Sequence, residues 1–250
     1  AAFGRVGFGL SSRPDDIKHY GPSAACSQGL ELLRVVQADA PLAPPVILVG
    51  HSMGAGLSAR MALELGRAGT PPGALVLLAP AANRAEPCRL GAFSRRLVVL
   101  AIRWLLLPFV RFSTSAQIYS EGFWRRGLSL ALPTGLSKPI YDRYTWPVQV
   151  RLAARGIAAF TCAQAQSMIS GVGPAESEAD VWAALRDMSI PTLVIHGTAD
   201  SVVPVRSSRA LCADVLPDAE LVELDCGHCP QEELPERTAS TICNLMQRRV

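Results

Sequence analysis

Charge is scarce in this chain. Only 18% of its 250 residues are Asp, Glu, Lys or Arg, against 49% that are hydrophobic, and the net charge is +3. So small an excess does not suggest nucleic acid as a partner, and so high an apolar content excludes global disorder. Histidine is rarer still. His19, His51, His196 and His228 are dispersed, without carboxylates or thiols at ligand spacing, so no metal site is expected. The seven cysteines are odd in number and scattered, which does not read as a secreted disulfide framework and favours an intracellular, reduced compartment. The sequence also lacks a charged-then-apolar leader, an uninterrupted apolar run long enough to span a bilayer, an internal repeat and a low-complexity tract. A start at Ala1 reads as a processed product or a fragment. The length suits one domain, or one domain with an inserted cap.

What is present is an alternation. Residues 45–50 (Pro-Val-Ile-Leu-Val-Gly) form a continuous apolar run, the pattern of a strand covered on both faces in a parallel sheet. A helix is expected from Met53, where Met53, Leu57, Met61 and Leu65 recur every fourth position and Ala55, Gly56, Ala59 and Ala62 are small enough for close approach to a sheet. A second strand over 74–79 completes one crossover. The alternation stops over 85–179, where helical stretches are broken at Pro108, Pro133, Pro139 and Pro147. It resumes with a strand at 192–196, a helix at 205–216, a strand at 221–224 and a last helix from about Gln231. The expected organisation is an α/β core over 1–84 and 180–250, with a mostly parallel sheet, and a helical cap inserted over 85–179.

Chemistry concentrates at three strand ends. Gly50-His51-Ser52-Met53-Gly54 fits the Gly-x-Ser-x-Gly nucleophile elbow, and it lies between a buried strand and a helix, the context that motif requires. The glycines are expected because a sharp strand-to-helix turn crowds the backbone and lifts the serine hydroxyl above the sheet in a strained conformation. A serine hydroxyl is a poor nucleophile near neutral pH, so it needs a base within hydrogen-bond reach and a third group to fix that base. Asp200 follows one later strand and His228 follows the next. In a parallel sheet all three loops emerge at the carboxyl edge, so the candidates are Ser52 as nucleophile, His228 as base and Asp200 as the acid that orients it. Glu86 is a substitute for the acid, and Asp200 has the competing role of capping the turn before Val202. His51 and His196 are expected to be structural.

These residues resemble the α/β-hydrolase family. "RVGFGLSSRP", "VILVGHSMGAG", "PTLVIHGTADSVVP" and "CGHCPQEELPE" are each similar to segments that the family carries in this order, across nearly the whole chain. The resemblance implies hydrolysis of an ester, thioester or related acyl bond through an acyl-enzyme. The serine in the elbow sets the chain apart from the related epoxide hydrolases and haloalkane dehalogenases, which use an aspartate there. The family forms its oxyanion hole from the N–H after the nucleophile, here Met53, and from a loop before "RVGFG" that this sequence does not include. Three early strands also have no counterpart, and Gly4 stands where the family usually has Asp. The expectation is an N-terminally truncated member in which 1–3 are the remnant of a strand. Loss of one oxyanion donor costs roughly a hundred- to a thousand-fold in turnover, so the alternative is a weak or inactive hydrolase-like module that binds a lipid or a partner through its cap.

Two imitations compete with that reading. Cys226-Gly227-His228-Cys229 has the Cys-x-x-Cys spacing of thiol-disulfide exchangers, but Pro230 follows at once. Residues 54–59 superficially match a dinucleotide fingerprint, yet the first glycine lies inside the expected helix and no acidic residue ends the next strand, so no cofactor is expected. The remaining partner is a small, apolar acyl or ester substrate. The cap contributes one further feature. Residues 84–126 contain eight arginines against Glu86 and Glu121, a local charge of +6, and include the apolar run 97–112. At about sixteen residues interrupted by Arg103 and Pro108, that run is read as a lid helix over an acyl pocket with partly snorkelling arginines, and peripheral membrane contact through the cap stays open.

Overall fold

The computed structural model describes residues 2–38, 45–82, 91–168 and 177–249, apart from the side chains of Arg103 and Arg249. Along the chain the elements are α1 (Pro22–Ala38), β1 (Ile47–His51), α2 (Met53–Arg67), β2 (Ala74–Leu78), α3 (Ala92–Ala101), α4 (Leu107–Gln117), α5 (Glu121–Ala131), α6 (Lys138–Thr145), α7 (Ala153–Ser167) and α8 (Glu178–Arg186). There follow β3 (Thr192–Gly197), α9 (Arg206–Asp214), β4 (Glu220–Leu224), α10 (Pro230–Glu233) and α11 (Pro235–Arg249). A π turn, Ile102–Leu106, joins α3 to α4, and short 3-10 turns precede α1 and follow α6.

The four strands form one parallel sheet in the order β1-β2-β3-β4. Ile47 aligns with Ala74, Leu75 with Thr192 and Leu193 with Glu220, so the strands run in step and their carboxyl ends share an edge. β2 and β3 are buried at every position, which explains their unalternating apolar sequences. On one face Ala74, Val76, Leu78, Leu193 and Ile195 pack with Leu224, Cys226 and Leu245, and Ile242 joins them from α11. Burying a side chain of Ile or Leu size contributes roughly 1.5–3 kcal/mol, so this layer is the main source of the sheet's stability.

α2 packs on β1 and β2. Its closest face is the small-residue one, with Ala55, Ala59 and Ala62 fully buried, whereas Met53 is 53% exposed and Leu57 and Leu65 lie at the margin. Of the every-fourth row of large residues, only Met61 is buried. Small side chains let the helix backbone approach the sheet, and the larger ones flank the contact.

The chain divides into two compact units. One comprises 33–84, 127–136 and 178–250 and holds the sheet; the other comprises 1–32, 85–126 and 137–177. The first 32 residues therefore do not group with the sheet as the sequence suggested, and residues 127–136 do. The cause is visible in the packing: Val6, Phe8, Ile17 and Tyr20 collect around Ala159, Phe160 and Ala163 of α7. Phe8 meets Phe160 edge to face with centroids 5.1 Å apart. Residues 2 and 3 form no strand, so the expected strand remnant is absent among the described residues.

Candidate active site

Ser52 stands between the last residue of β1 and the first of α2, at φ 52° and ψ −121°. This is the strained turn that an elbow needs, and its neighbours fix it: Ser52 N–H donates to Leu78 O (2.9 Å), while Ser52 O accepts from the N–H groups of Ala55 (3.0 Å) and Ala81 (3.2 Å). Gly50 is sterically required, because a Cβ there would lie 2.5 Å from Gly54 O and 2.8 Å from Ala55 Cα. Gly54 is not, since nothing lies within 4 Å of where its Cβ would be, so only one of the two elbow glycines meets the expected crowding.

Three loops bring the predicted residues together at the carboxyl edge. His228 Nδ1 lies 2.7 Å from Asp200 Oδ2, and its Nε2 lies 2.9 Å from Ser52 Oγ. A carboxylate oxygen only accepts, so Nδ1 carries the proton and Nε2 is left to accept from the serine hydroxyl; the tautomer follows from its partners. Asp200 and His228 are buried, at 8% and 6% exposure, and Ser52 is half-buried. Low water access strengthens the bonds along this chain.

The two oxygens of Asp200 have different partners. Oδ1 caps the turn by accepting from Val202 N–H (2.8 Å) and Val203 N–H (2.9 Å), while Oδ2 faces the histidine. Capping leaves the carboxylate in a single orientation. Met53, the expected oxyanion donor, opens α2, where the first N–H groups have no intrahelical acceptor and the helix dipole favours negative charge. Glu86 lies outside the described residues.

Several supporting groups were not predicted in these roles. His196 is fully buried on β3; its Nε2 faces both Asp200 Oδ2 (3.1 Å) and Val203 O (2.8 Å), and its Nδ1 lies 2.6 Å from Ser208 Oγ. Two acceptors at Nε2 place the proton there, so Ser208 donates to Nδ1. His51 donates from Nε2 to His228 O (2.8 Å), and the two rings lie 4.9 Å apart. Burial is the largest influence on His51 and pulls its pKa below the ordinary 6.5, only partly countered by that hydrogen bond. Glu233 of α10 accepts from Gly227 N–H through Oε1 (2.8 Å) and from the Thr134 hydroxyl through Oε2 (2.6 Å), and His228 N–H donates to Ala131 O (2.8 Å). The only sequence signal for these braces is their place inside the family-like segments, since buried polar groups paired across loops leave no periodicity.

Gly197 lets the two carboxyl-end loops meet. A Cβ there would fall 2.0 Å from Gly227 O and 2.3 Å from Cys226 O. Cys226 and Cys229 are both buried and neither is in a disulfide, and burial first, then nearby carboxylates, push the Cys226 thiol up to about 12. No group of three or more His, Cys, Asp or Glu able to hold a metal occurs among the described residues.

A parallel sheet with an elbow serine after its first described strand, and acid and histidine loops after the third and fourth, defines an α/β hydrolase. The chain belongs to the alpha/beta hydrolase family, whose model matches residues 2–241. It is 28% identical over 249 residues to 2-hydroxymuconate semialdehyde hydrolase of Pseudomonas sp. (strain CF600), a match that covers 96% of this chain and 74% of that protein. It is 40% identical over 72 residues to pimeloyl-[acyl-carrier protein] methyl ester esterase of Aromatoleum aromaticum (strain DSM 19018 / LMG 30748 / EbN1), covering 28% of each. Among solved structures, 2-hydroxy-6-oxo-6-phenylhexa-2,4-dienoate hydrolase from Rhodococcus sp. strain RHA1 superposes with a TM-score of 0.67 at 18% identity, over 97% of this chain and 78% of that one. A likeness at that identity speaks to the fold alone. The relatives named as hydrolases and esterases support a hydrolase.

Proposed function

We propose that this protein is a serine hydrolase that cleaves an ester, thioester or related acyl bond through an acyl-enzyme. The observation that carries this reading is the unbroken path of hydrogen bonds from Ser52 Oγ through His228 to Asp200 Oδ2. In the proposed reaction Ser52 Oγ attacks the acyl carbonyl as its proton passes to His228 Nε2, and the imidazolium that forms is held by Asp200. The tetrahedral oxyanion is met by the Met53 N–H at the start of α2. Its collapse expels the leaving group, which takes the proton from Nε2. Water, deprotonated by the same nitrogen, then attacks the acyl-serine and releases the acid. His51, His196 and Glu233 position this machinery.

A thiol-disulfide exchanger needs an accessible thiol of depressed pKa, whereas Cys226 and Cys229 are 1% and 3% exposed and the Cys226 thiol is pushed up to about 12. That supports the hydrolase over the redox reading. The names of the relatives supply the first substrates to try: an acyl-carrier-protein or simple methyl ester, and a hydroxymuconate-type semialdehyde, beside aryl esters of graded chain length.

A fluorophosphonate probe tests the assignment directly. It is expected to label Ser52 in the unsubstituted protein and to leave Ser52→Ala unlabelled. Labelling that persists in that variant, or that maps to another serine, overturns it. Labelling absent from a folded unsubstituted chain favours the alternative, a hydrolase-like binding module.

A further inference from the structure

α3, the π turn and α4 form one continuous helix of 26 residues, Ala92–Gln117, long and apolar enough by length and composition to cross a membrane. The interruption expected at Pro108 does not occur. The preceding π turn, closed by Leu107 N–H on Ile102 O, widens the helix just where proline would crowd the carbonyl one turn back.

This helix has two apolar faces. On one, Ile102 and Leu107 are buried against Ala158 and Cys162 of α7, with Val98 and Val110 beside them. On the other, Phe93, Leu97, Leu100, Trp104, Phe109 and Phe112 are each 50% to 76% exposed. Their spacing follows steps of three and four except for one step of five, from Trp104 to Phe109. That step spans the π turn, which absorbs the extra residue and keeps the row on one side. Single exposed apolar residues are ordinary; an ordered row holding three of the chain's seven phenylalanines and one of its four tryptophans is not.

The charge around the row has one sign. Between Glu86 and Glu121 the sequence has no acidic residue and five arginines, Arg89, Arg95, Arg96, Arg103 and Arg111, and Glu121 is itself bridged to Arg125 at 2.6 Å. Arg96 is exposed and Arg95 half-buried on the same helix, whereas Arg111 has its Nε buried and its charge acts on Cys162 of α7.

We infer that this face docks on the surface of an anionic lipid bilayer, with the helix lying in the plane of the interface. The aromatic and leucine side chains enter the acyl boundary, and Arg95 and Arg96 sit among the headgroup phosphates. Spanning is disfavoured because the opposite face is already packed on α7 and because Arg103 and Arg111 fall within the run. A second copy of the chain is disfavoured because a two-fold contact would set arginine against arginine, where an anionic surface neutralises them.

Co-sedimentation with vesicles of phosphatidylcholine alone, and of phosphatidylcholine mixed with phosphatidylglycerol, tests this. The protein is expected to bind the mixed vesicles, to release as salt is raised, and to bind phosphatidylcholine far more weakly. Replacing Leu97, Trp104 and Phe109 together by serine should weaken binding at least about a hundred-fold. Arg95→Gln and Arg96→Gln should each weaken it roughly five-fold. Brominated lipid should quench tryptophan fluorescence in the unsubstituted protein, and Trp104→Phe should abolish that quenching while the protein still sediments; this holds whether or not the triple variant folds. Three results overturn the inference: protein that stays in solution with both vesicle types, binding indifferent to phosphatidylglycerol, or lipid-free dimerisation that the triple substitution abolishes without any vesicle binding.

Discussion

β2 and the helix Ala92–Gln117 both carry runs of large apolar residues and are opposite in fate. In Ala74–Leu78 every side chain is buried, whereas in Ala92–Gln117 the largest side chains, Phe93, Trp104, Phe109 and Phe112, point outward. The strand lies between two others in a parallel sheet, so both of its faces are enclosed by its own chain. The helix has one face against α7, and the cylinder leaves the other uncovered. Hydrophobicity alone thus does not say whether a segment stabilises the fold or is available to something outside it. The difference lies in how many faces the local architecture encloses.

Substitutions at the sheet edge should bring the largest losses. Ser52→Ala is expected to lower turnover by about ten-thousand- to a million-fold, because in the proposed mechanism the nucleophile, its base and the orienting acid act as one unit. Steady-state rates on an aryl ester, with the melting temperature unchanged, check it. Asp200→Asn should cost on the order of ten-thousand-fold by favouring the wrong tautomer of His228. It should cost about 1–3 kcal/mol of stability, because the amide oxygen can still accept from Val202 and Val203 while the amide nitrogen meets the N–H groups of His228 and His196. A loss of activity that merely tracked unfolding would contradict this division of labour between Oδ1 and Oδ2.

A matched pair in the two regions sharpens the contrast. Ile195→Ala, at a fully buried position, should destabilise by about 2–5 kcal/mol through lost burial and the cavity left behind. Phe112→Ala, at a position 76% exposed, should change stability by no more than about 0.5 kcal/mol although it removes a larger side chain. Urea unfolding of both variants decides, and a Phe112 variant as unstable as the Ile195 one would mean that the outward row is structural.

How much of this was legible in the sequence follows from which signals are local. The elbow, the strand ends and the placement of Asp200 and His228 rest on short motifs next to apolar runs, and the three side chains meet as the order of loops in a parallel sheet requires. The small residues of α2 are legible as the close-approach face, and Ala55, Ala59 and Ala62 are fully buried; the every-fourth row is a weaker guide, because of its four members Met61 alone is buried. The grouping of the first 32 residues with 85–126 and 137–177 is not legible, because nothing in "RVGFGL" announces that Phe8 meets Phe160, a residue 152 positions away. Pro108 reads as a break because proline clashes with a regular α-turn, and a π turn is not marked by composition. His196 is legible as structural, but its partners and the bracing role of Glu233 are not, because tertiary packing sets them.

The smallest predicted effect separates His51 from the rest of the site. Burial holds its folded pKa below 6.5, so between that lowered value and 6.5 the unfolded chain binds more protons than the folded one. The stability this residue supports is therefore complete above pH 6.5 and declines as the pH falls toward the folded pKa. His51→Gln retains an N–H able to donate to His228 O but has nothing to titrate. Unfolding free energies measured at pH 7.5 and pH 5.5 should then fall less on acidification in the variant than in the unsubstituted protein, with turnover at pH 7.5 little changed. Equal losses would mean that His51 does not titrate differently in the folded and unfolded chains. A large loss of turnover at pH 7.5 would mean that the imidazole, and not only its hydrogen bond, orients the loop carrying His228.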